Sequence, residues 1–139
     1  LLNLRIGVQL IGDDGFNSPP AHALGAMNIT ANVRGFPVYG DYRSDSPSSA
    51  IIDAVSNRTI DLAAVWGPMA GYFVNKSREP LHMVKVRGTS SFQPLRFEFA
   101  IAIGVRKGDT GLQERFDDFI RRRQSEIDTL LESYGVPRL

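Results

Sequence analysis

Short apolar runs alternate with amphipathic segments along the chain, and this alternation constrains the fold more than any other feature. Three runs, LRIGVQL, VRGFPVYG and IDLAAVW, have the length of strands, and a segment with helical spacing follows each. LHMVKV and FEFAIAIGV predict two more strands before a final helix. Because strand–helix–strand connections are right-handed, the order β-α-β-α-β-α-β-β-α predicts an α/β fold with a mostly parallel, doubly wound sheet.

The last segment predicts one long amphipathic helix. Its large apolar residues fall on one face at helical spacing: Leu112, Phe116, Phe119, Ile120, Ile127, Leu130, Leu131 and Tyr134. Gly135 and then Pro137 predict its end. Exposure of apolar surface is unfavourable by ~25 cal/mol per Å². We therefore expect this helix either to fold back on the chain or to pack against a second copy in a homodimer.

Composition excludes several classes of function. Sixteen basic and fifteen acidic residues leave a net charge of +1, which argues against nucleic acid as a partner. The basic cluster Arg121 to Arg123 lies between acidic residues and predicts a solvated helix face. No cysteine is present, which excludes disulfides, thiolate catalysis and cysteine-ligated metals. No apolar run approaches the ~20 residues of a membrane span, and the chain opens on a strand with no signal peptide.

Motifs for catalysis and cofactor binding are also missing. The only histidines are His22 and His82, and no G-x-S-x-G elbow accompanies them. The sequence contains neither G-x-G-x-x-G nor a Walker motif. Four loop aspartates could offer oxygens to calcium, but their spacing does not match an EF-hand: Asp13, Asp14, Asp41 and Asp45. The sequence therefore predicts a protein that is not an enzyme, with no cofactor and no metal site.

Three loops converge at one edge of the predicted sheet. GDDGFNSPP, GDYRSDSP and WGPMAGY follow the first three strands, and in parallel sheets ligands bind at the carboxyl ends of the strands. Trp66, the only tryptophan, ends the third strand. Strand alternation leaves two roles open for it, a core residue or an aromatic wall at the edge, and its position directly before Gly-Pro favours the edge.

The order of LRIGVQ, NVRGFPVYGDYR, IIDAVSNRTIDLAAVWGPMAGYF and FAIAIGVRKGD resembles type 2 periplasmic solute-binding proteins. VYGDYR and AVWGPMAGYF resemble one branch, the quinoprotein-dehydrogenase-associated proteins, which includes the J-type accessory protein of methanol oxidation. Members of the family have two lobes and about twice this length. The resemblance implies that residues 1–90 form the second lobe, while residues 91–139 supply a return strand and a closing helix that normally belong to the first.

The same resemblance implies a set of ligand-binding residues in the cleft: Gly12, Asp13, Asn17, Ser18, Tyr42, Arg43, Trp66, Gly67 and Pro68. In amino-acid-binding relatives, hydroxyl residues at a helix N-terminus receive the ligand carboxylate. Here Pro19 and Pro20 remove two amide donors from that position. Those relatives also keep an aspartate where Trp66 stands. Binding of a standard α-amino acid is therefore not expected.

Two functions follow from the resemblance. The first is a periplasmic accessory factor that works with a dehydrogenase dependent on pyrroloquinoline quinone (PQQ), such as methanol dehydrogenase. The second is the solute receptor of an ABC importer, with Arg43 as the anchor for a small anionic ligand. Both place the protein in the periplasm, with a quinoprotein dehydrogenase or an ABC permease as its partner.

Overall fold

A computed structural model of the chain describes residues 1–11, 17–38 and 46–138. A parallel three-stranded sheet is at its centre, in the order β2-β1-β3. The strands are β1 (Ile6–Leu10), β2 (Val33–Pro37) and β3 (Leu62–Ala64), and the first three helices are α1 (Pro19–Ala26), α2 (Ala50–Ser56) and α3 (Gly67–Lys76). The predicted α/β class with a parallel, doubly wound sheet is confirmed.

Each face of the sheet has its own core. Ile6 and Val8 of β1 pack with Leu24 of α1 and with Ile29. The opposite core joins Phe36 of β2 to residues of α2 and α3: Ile51, Ile52, Ala54 and Ala70, together with Ile60. Alternate β1 side chains point to opposite faces. Ile6 and Val8 enter the core beside α1, whereas Gly7 lies against Ile51, Ile60 and Phe36 on the other face.

Two predicted strands are not formed. LHMVKV at 81–86 and FEFAIAIGV at 97–105 have no strand assignment, and no described residue pairs with them. The return strand that was expected within 91–139 is therefore wrong for this structure. A strand exists only where a neighbouring backbone accepts its hydrogen bonds, and an apolar run carries no information about whether such a neighbour is present.

The long C-terminal helix is divided in two. Helix α4 (Thr110–Arg122) and helix α5 (Gln124–Ser133) meet at Arg123, whose backbone leaves the helical region. Asp109 caps α4 by accepting a hydrogen bond from the Leu112 N–H at 3.1 Å. Nothing in the sequence around Arg123 explains the break. The basic cluster lies on a solvated face, as predicted, with Asp118 pairing Arg122 at 2.7 Å and Glu126 pairing Arg123 at 2.6 Å.

The end of α5 folds back onto α3. Gly135 has a φ of +68° and ends the helix where the sequence predicts. The Tyr134 ring stacks on the Tyr72 ring of α3 with centroids 6.0 Å apart, and the Lys85 ammonium donates to the carbonyl of Arg138. Residues 134–138, here called the C-terminal turn, thus pack on α3, whereas Phe119 of α4 and Leu130 of α5 stay exposed, so the expected apolar face is not covered by fold-back. The expected homodimer and the division at residue 90 stay predictions.

Candidate functional site

The switch point of the sheet lies between β1 and β3. The chain passes from β1 to β2 on one side and then returns to β3 on the other, so the connections leave the carboxyl ends of β1 and β3 in opposite directions. Helix α1 begins after β1 and α3 begins after β3. This edge, here called the carboxyl edge, is where the predicted site residues after β1 and β3 meet.

Trp66 lies at the carboxyl edge and outside both cores. It is the residue before α3, with an extended backbone (φ −61°, ψ 122°), and its carbonyl accepts the Ala70 N–H at 3.0 Å. Its side chain is 53% exposed. The core role that strand alternation left open is thereby excluded. An exposed tryptophan at the switch point of an α/β sheet is suited to contact with another molecule.

Gln9 is a buried polar residue of the candidate site that the sequence alone did not single out. It is 8% exposed and lies near the end of β1, the central strand. Its Oε1 accepts the backbone N–H of Trp66 at 2.8 Å, and its Nε2 donates to the sulfur of Met69 at 3.3 Å. The signal was present in LRIGVQL, because a lone amide within a buried strand must find hydrogen-bond partners.

Gly67 and Pro68 form the first turn of α3. Pro68 occupies a position whose N–H would have no partner within the helix, so the missing donor does no harm there. A Cβ added to Gly67 would lie 2.5 Å from Cγ of Pro137. Gly67 is therefore the point at which the C-terminal turn packs beside Trp66, and a side chain at this position would displace it.

Asn17 and Ser18 lie on the β1 side of the same edge. Asn17 makes an antiparallel bridge to Leu10, and Ser18 precedes α1 with its carbonyl accepting the His22 N–H at 3.1 Å. The Ser18 hydroxyl is buried and, among the described residues, has no hydrogen-bond partner. Because the two residues that follow are prolines, the hydroxyl is the side-chain donor that this helix start offers.

The other predicted site residues lie outside the described residues: Gly12, Asp13, Tyr42 and Arg43, together with the aspartates Asp14, Asp41 and Asp45. The described residues that directly follow the three strands carry no charge: Ile11, Asn17, Ser18, Val38, Val65, Trp66, Gly67 and Pro68. This part of the carboxyl edge is therefore suited to apolar contact and neutral hydrogen bonding.

Residues 1–11, 17–38 and 46–138 show no metal-binding cluster and no deep pocket at Trp66. No three metal-ligating side chains come together there. Two shallow depressions lie away from Trp66, one between α3 and the end of α5 beside Tyr72 and Tyr134, the other along 89–98. Within the same ranges, no helix is long and apolar enough to cross a membrane.

The opposite end of the sheet carries an ion pair. The Arg5 guanidinium donates to Asp61 at 2.7 Å, and the Arg5 backbone N–H donates to the same carboxylate, also at 2.7 Å. These hydrogen bonds lower the pKa of Asp61 to about 2 and raise that of Arg5. Since Arg5 precedes β1 and Asp61 precedes β3, the pair aligns the two strands whose other ends form the candidate site.

A parallel sheet in the order β2-β1-β3, with helices on both faces, is part of the fold of periplasmic binding proteins. The structure superposes over its whole length on periplasmic binding protein XoxJ from Methylobacterium extorquens AM1, with a TM-score of 0.74 and 23% sequence identity, and spans 58% of that chain. This similarity establishes the fold.

The sequence is also similar to protein MoxJ of Paracoccus denitrificans, with 30% identity over 97 residues. The matched region covers 66% of this chain and 34% of MoxJ. The chain thus spans about a third of MoxJ and somewhat more than half of XoxJ. No family model matches the sequence. The chain therefore has the fold of a periplasmic binding protein and is similar in sequence to MoxJ, in agreement with the resemblance seen in the sequence.

Proposed function

We propose that this protein is a non-enzymatic periplasmic accessory factor that binds a PQQ-dependent alcohol dehydrogenase, with methanol dehydrogenase as the expected partner. The similarity to MoxJ and the fold shared with XoxJ support the accessory class and the periplasmic location. The observation that carries the proposal is Trp66. A half-exposed indole stands at the switch point, and the described residues that follow the strands there carry no charge.

The chemistry of this edge favours a protein segment over an amino acid. Recognition of an α-amino acid needs a partner for the ammonium group, and among the described residues at the carboxyl edge no carboxylate is present. A tryptophan offers a large, rigid apolar surface, and tryptophans are enriched among the residues that dominate protein–protein binding energy. Trp66 in our proposal inserts into an apolar site on the dehydrogenase.

Binding to purified dehydrogenase tests this proposal. Wild-type protein should co-elute with the dehydrogenase, and Trp66→Ala should weaken binding by about 2 kcal/mol, or about thirtyfold, as is usual for a central tryptophan. Phe119→Ala is the matched control, because Phe119 is an aromatic residue of similar exposure (51%) on α4. Equal losses in both variants, or no binding by the wild type, would contradict the proposal.

A second candidate function is the solute receptor of an ABC importer. The buried Ser18 hydroxyl, which lacks a partner among the described residues, favours it because such a group is satisfied by a small polar ligand. A panel of small anionic metabolites should then raise the melting temperature. The shift should disappear in Arg43→Ala, since Arg43 is the predicted anchor. Co-elution with the dehydrogenase without any thermal shift would favour the accessory role.

A further inference from the structure

We infer that Gln9 is the positioning residue that holds Trp66 at the carboxyl edge, and that the recognition surface depends on this buried amide. The inference deepens the proposed function and rests on it for the role of Trp66 in binding. The geometric part, that Gln9 fixes the position of Trp66, stands on the hydrogen bonds alone.

Trp66 needs an external acceptor for its backbone N–H. Strand β3 ends at Ala64, so the β1–β3 ladder does not extend to Trp66, and α3 does not begin until Gly67. The described acceptor for the Trp66 N–H is Oε1 of Gln9, at 2.8 Å. Loss of that acceptor would leave a part-buried donor unsatisfied, which is more unfavourable than loss of an exposed hydrogen bond.

The second hydrogen bond of Gln9 orients its amide. Nε2 donates to the Met69 sulfur at 3.3 Å, so the two ends of one amide contact Trp66 and the first turn of α3. Gln9 itself lies in the central strand and is 8% exposed. A group that is fixed on a buried strand and bonded at both ends holds the start of α3 in one place relative to β1. The exposed indole then projects from a rigid backbone.

Because Trp66 is the only tryptophan, its fluorescence reports on this position without ambiguity. In the wild type we expect the fluorescence anisotropy of Trp66 to decay slowly. We also expect the Trp66 amide to exchange with deuterium as slowly as the amides of β1. Gln9→Met removes both hydrogen bonds at similar side-chain length. It should increase acrylamide quenching of Trp66 and accelerate exchange of the Trp66 amide by about fivefold to tenfold.

Three further variants distinguish positioning from general stability. Gln9→Glu keeps an acceptor for the Trp66 N–H and should restore slower exchange, whereas Met69→Leu removes only the sulfur and should have the smaller effect. Val8→Ala weakens the same strand on its other face, where Val8 is buried in the opposite core. It should lower global stability and speed exchange of the β1 and Trp66 amides by the same factor, while acrylamide quenching of Trp66 stays unchanged under conditions in which all variants are folded.

Two results would overturn the inference: wild-type quenching and exchange in Gln9→Met, or, in Val8→Ala, increased quenching together with exchange of the Trp66 amide that is faster than that of the β1 amides. If Gln9→Met does not fold, amide exchange in the wild type still tests the inference. A Trp66 amide that exchanges as fast as the amides of exposed loops would contradict it. Dehydrogenase binding is a separate test. Gln9→Met should weaken dehydrogenase binding about fivefold. A wild type that does not bind refutes the proposed function, and the exchange data still decide the role of Gln9.

Discussion

The sheet region (residues 6–76) and the C-terminal region (81–138) use their apolar residues in different ways. Every buried hydrophobic residue of the described chain lies in the sheet region, from Ile6 to Ala70. In the C-terminal region no described apolar side chain is fully buried, and nine large ones are exposed: Met83, Val84, Val86, Phe99, Ile101, Ile103, Phe119, Leu130 and Tyr134. Apolar periodicity thus becomes a core only where neighbouring elements cover it, as α1, α2 and α3 cover the sheet.

The largest expected difference between the regions is in the effect of truncating an aliphatic side chain. Ile51→Ala should lower the free energy of unfolding by about 2–5 kcal/mol, because Ile51 is 2% exposed and its removal leaves a cavity in the core. Leu130→Ala, at an exposed position of α5, should change it by less than about 0.5 kcal/mol. Urea denaturation measures both, and equal losses would refute the contrast.

A second expected effect concerns the contact that joins the regions. A Cβ at Gly71 of α3 would lie 1.9 Å from the carbonyl oxygen of Gly135, so Gly71→Ala must displace the C-terminal turn. We expect a loss of about 1–3 kcal/mol in unfolding free energy, the usual effect of overpacking. Limited proteolysis should also show faster cleavage near residue 135.

Gly25→Ala is the matched control for Gly71→Ala. Gly25 is also within a helix, α1, and an added Cβ there meets nothing within 4 Å. The substitution should therefore stabilise the protein by about 0.5–1 kcal/mol, as the helix propensities of alanine and glycine predict. If both substitutions stabilise the protein, the C-terminal turn does not pack on α3 as the structure describes.

A third prediction concerns the stability of the protein at acid pH. The folded state lowers the pKa of Asp61 from 3.8 to about 2 through its hydrogen bonds to Arg5. A lowered carboxyl pKa contributes stability above the unfolded pKa, and this contribution is lost as the pH falls from about 4 towards 2. Asp61→Asn should therefore flatten the pH dependence of the melting temperature in that window. An unchanged slope in Asp61→Asn would show that the Arg5 pair does not form.

The smallest expected change in stability comes from a substitution on the basic face of α4. Asp118 pairs with Arg121 at 3.3 Å and with Arg122 at 2.7 Å, and all three side chains are largely solvated. Asp118→Asn should lower the unfolding free energy by only about 0.5 kcal/mol, and high salt should abolish the difference. A larger loss that salt does not reduce would mean that this face is packed against another surface.

Local features of the candidate site followed from the sequence, whereas the contacts between its distant residues did not. The Gly-Pro that follows Trp66 favoured a position at the edge of the sheet, and the structure agrees. Gln9 was visible as a polar residue in a buried run, but its partners lie 57 and 60 residues further along the chain. Only the pairing of β1 with β3 brings these residues together.

The sequence by itself determined the α/β class, the three helix-covered strands and the end of the last helix, because periodicity and helix-end signals are local. The tertiary structure alone decided which apolar runs are paired strands. It also decided that the C-terminal turn packs on Gly67 and Gly71, and that Trp66 is held by Gln9. These features depend on contacts between residues distant in sequence, and local patterns carry no information about which distant backbone or side chain will be the neighbour.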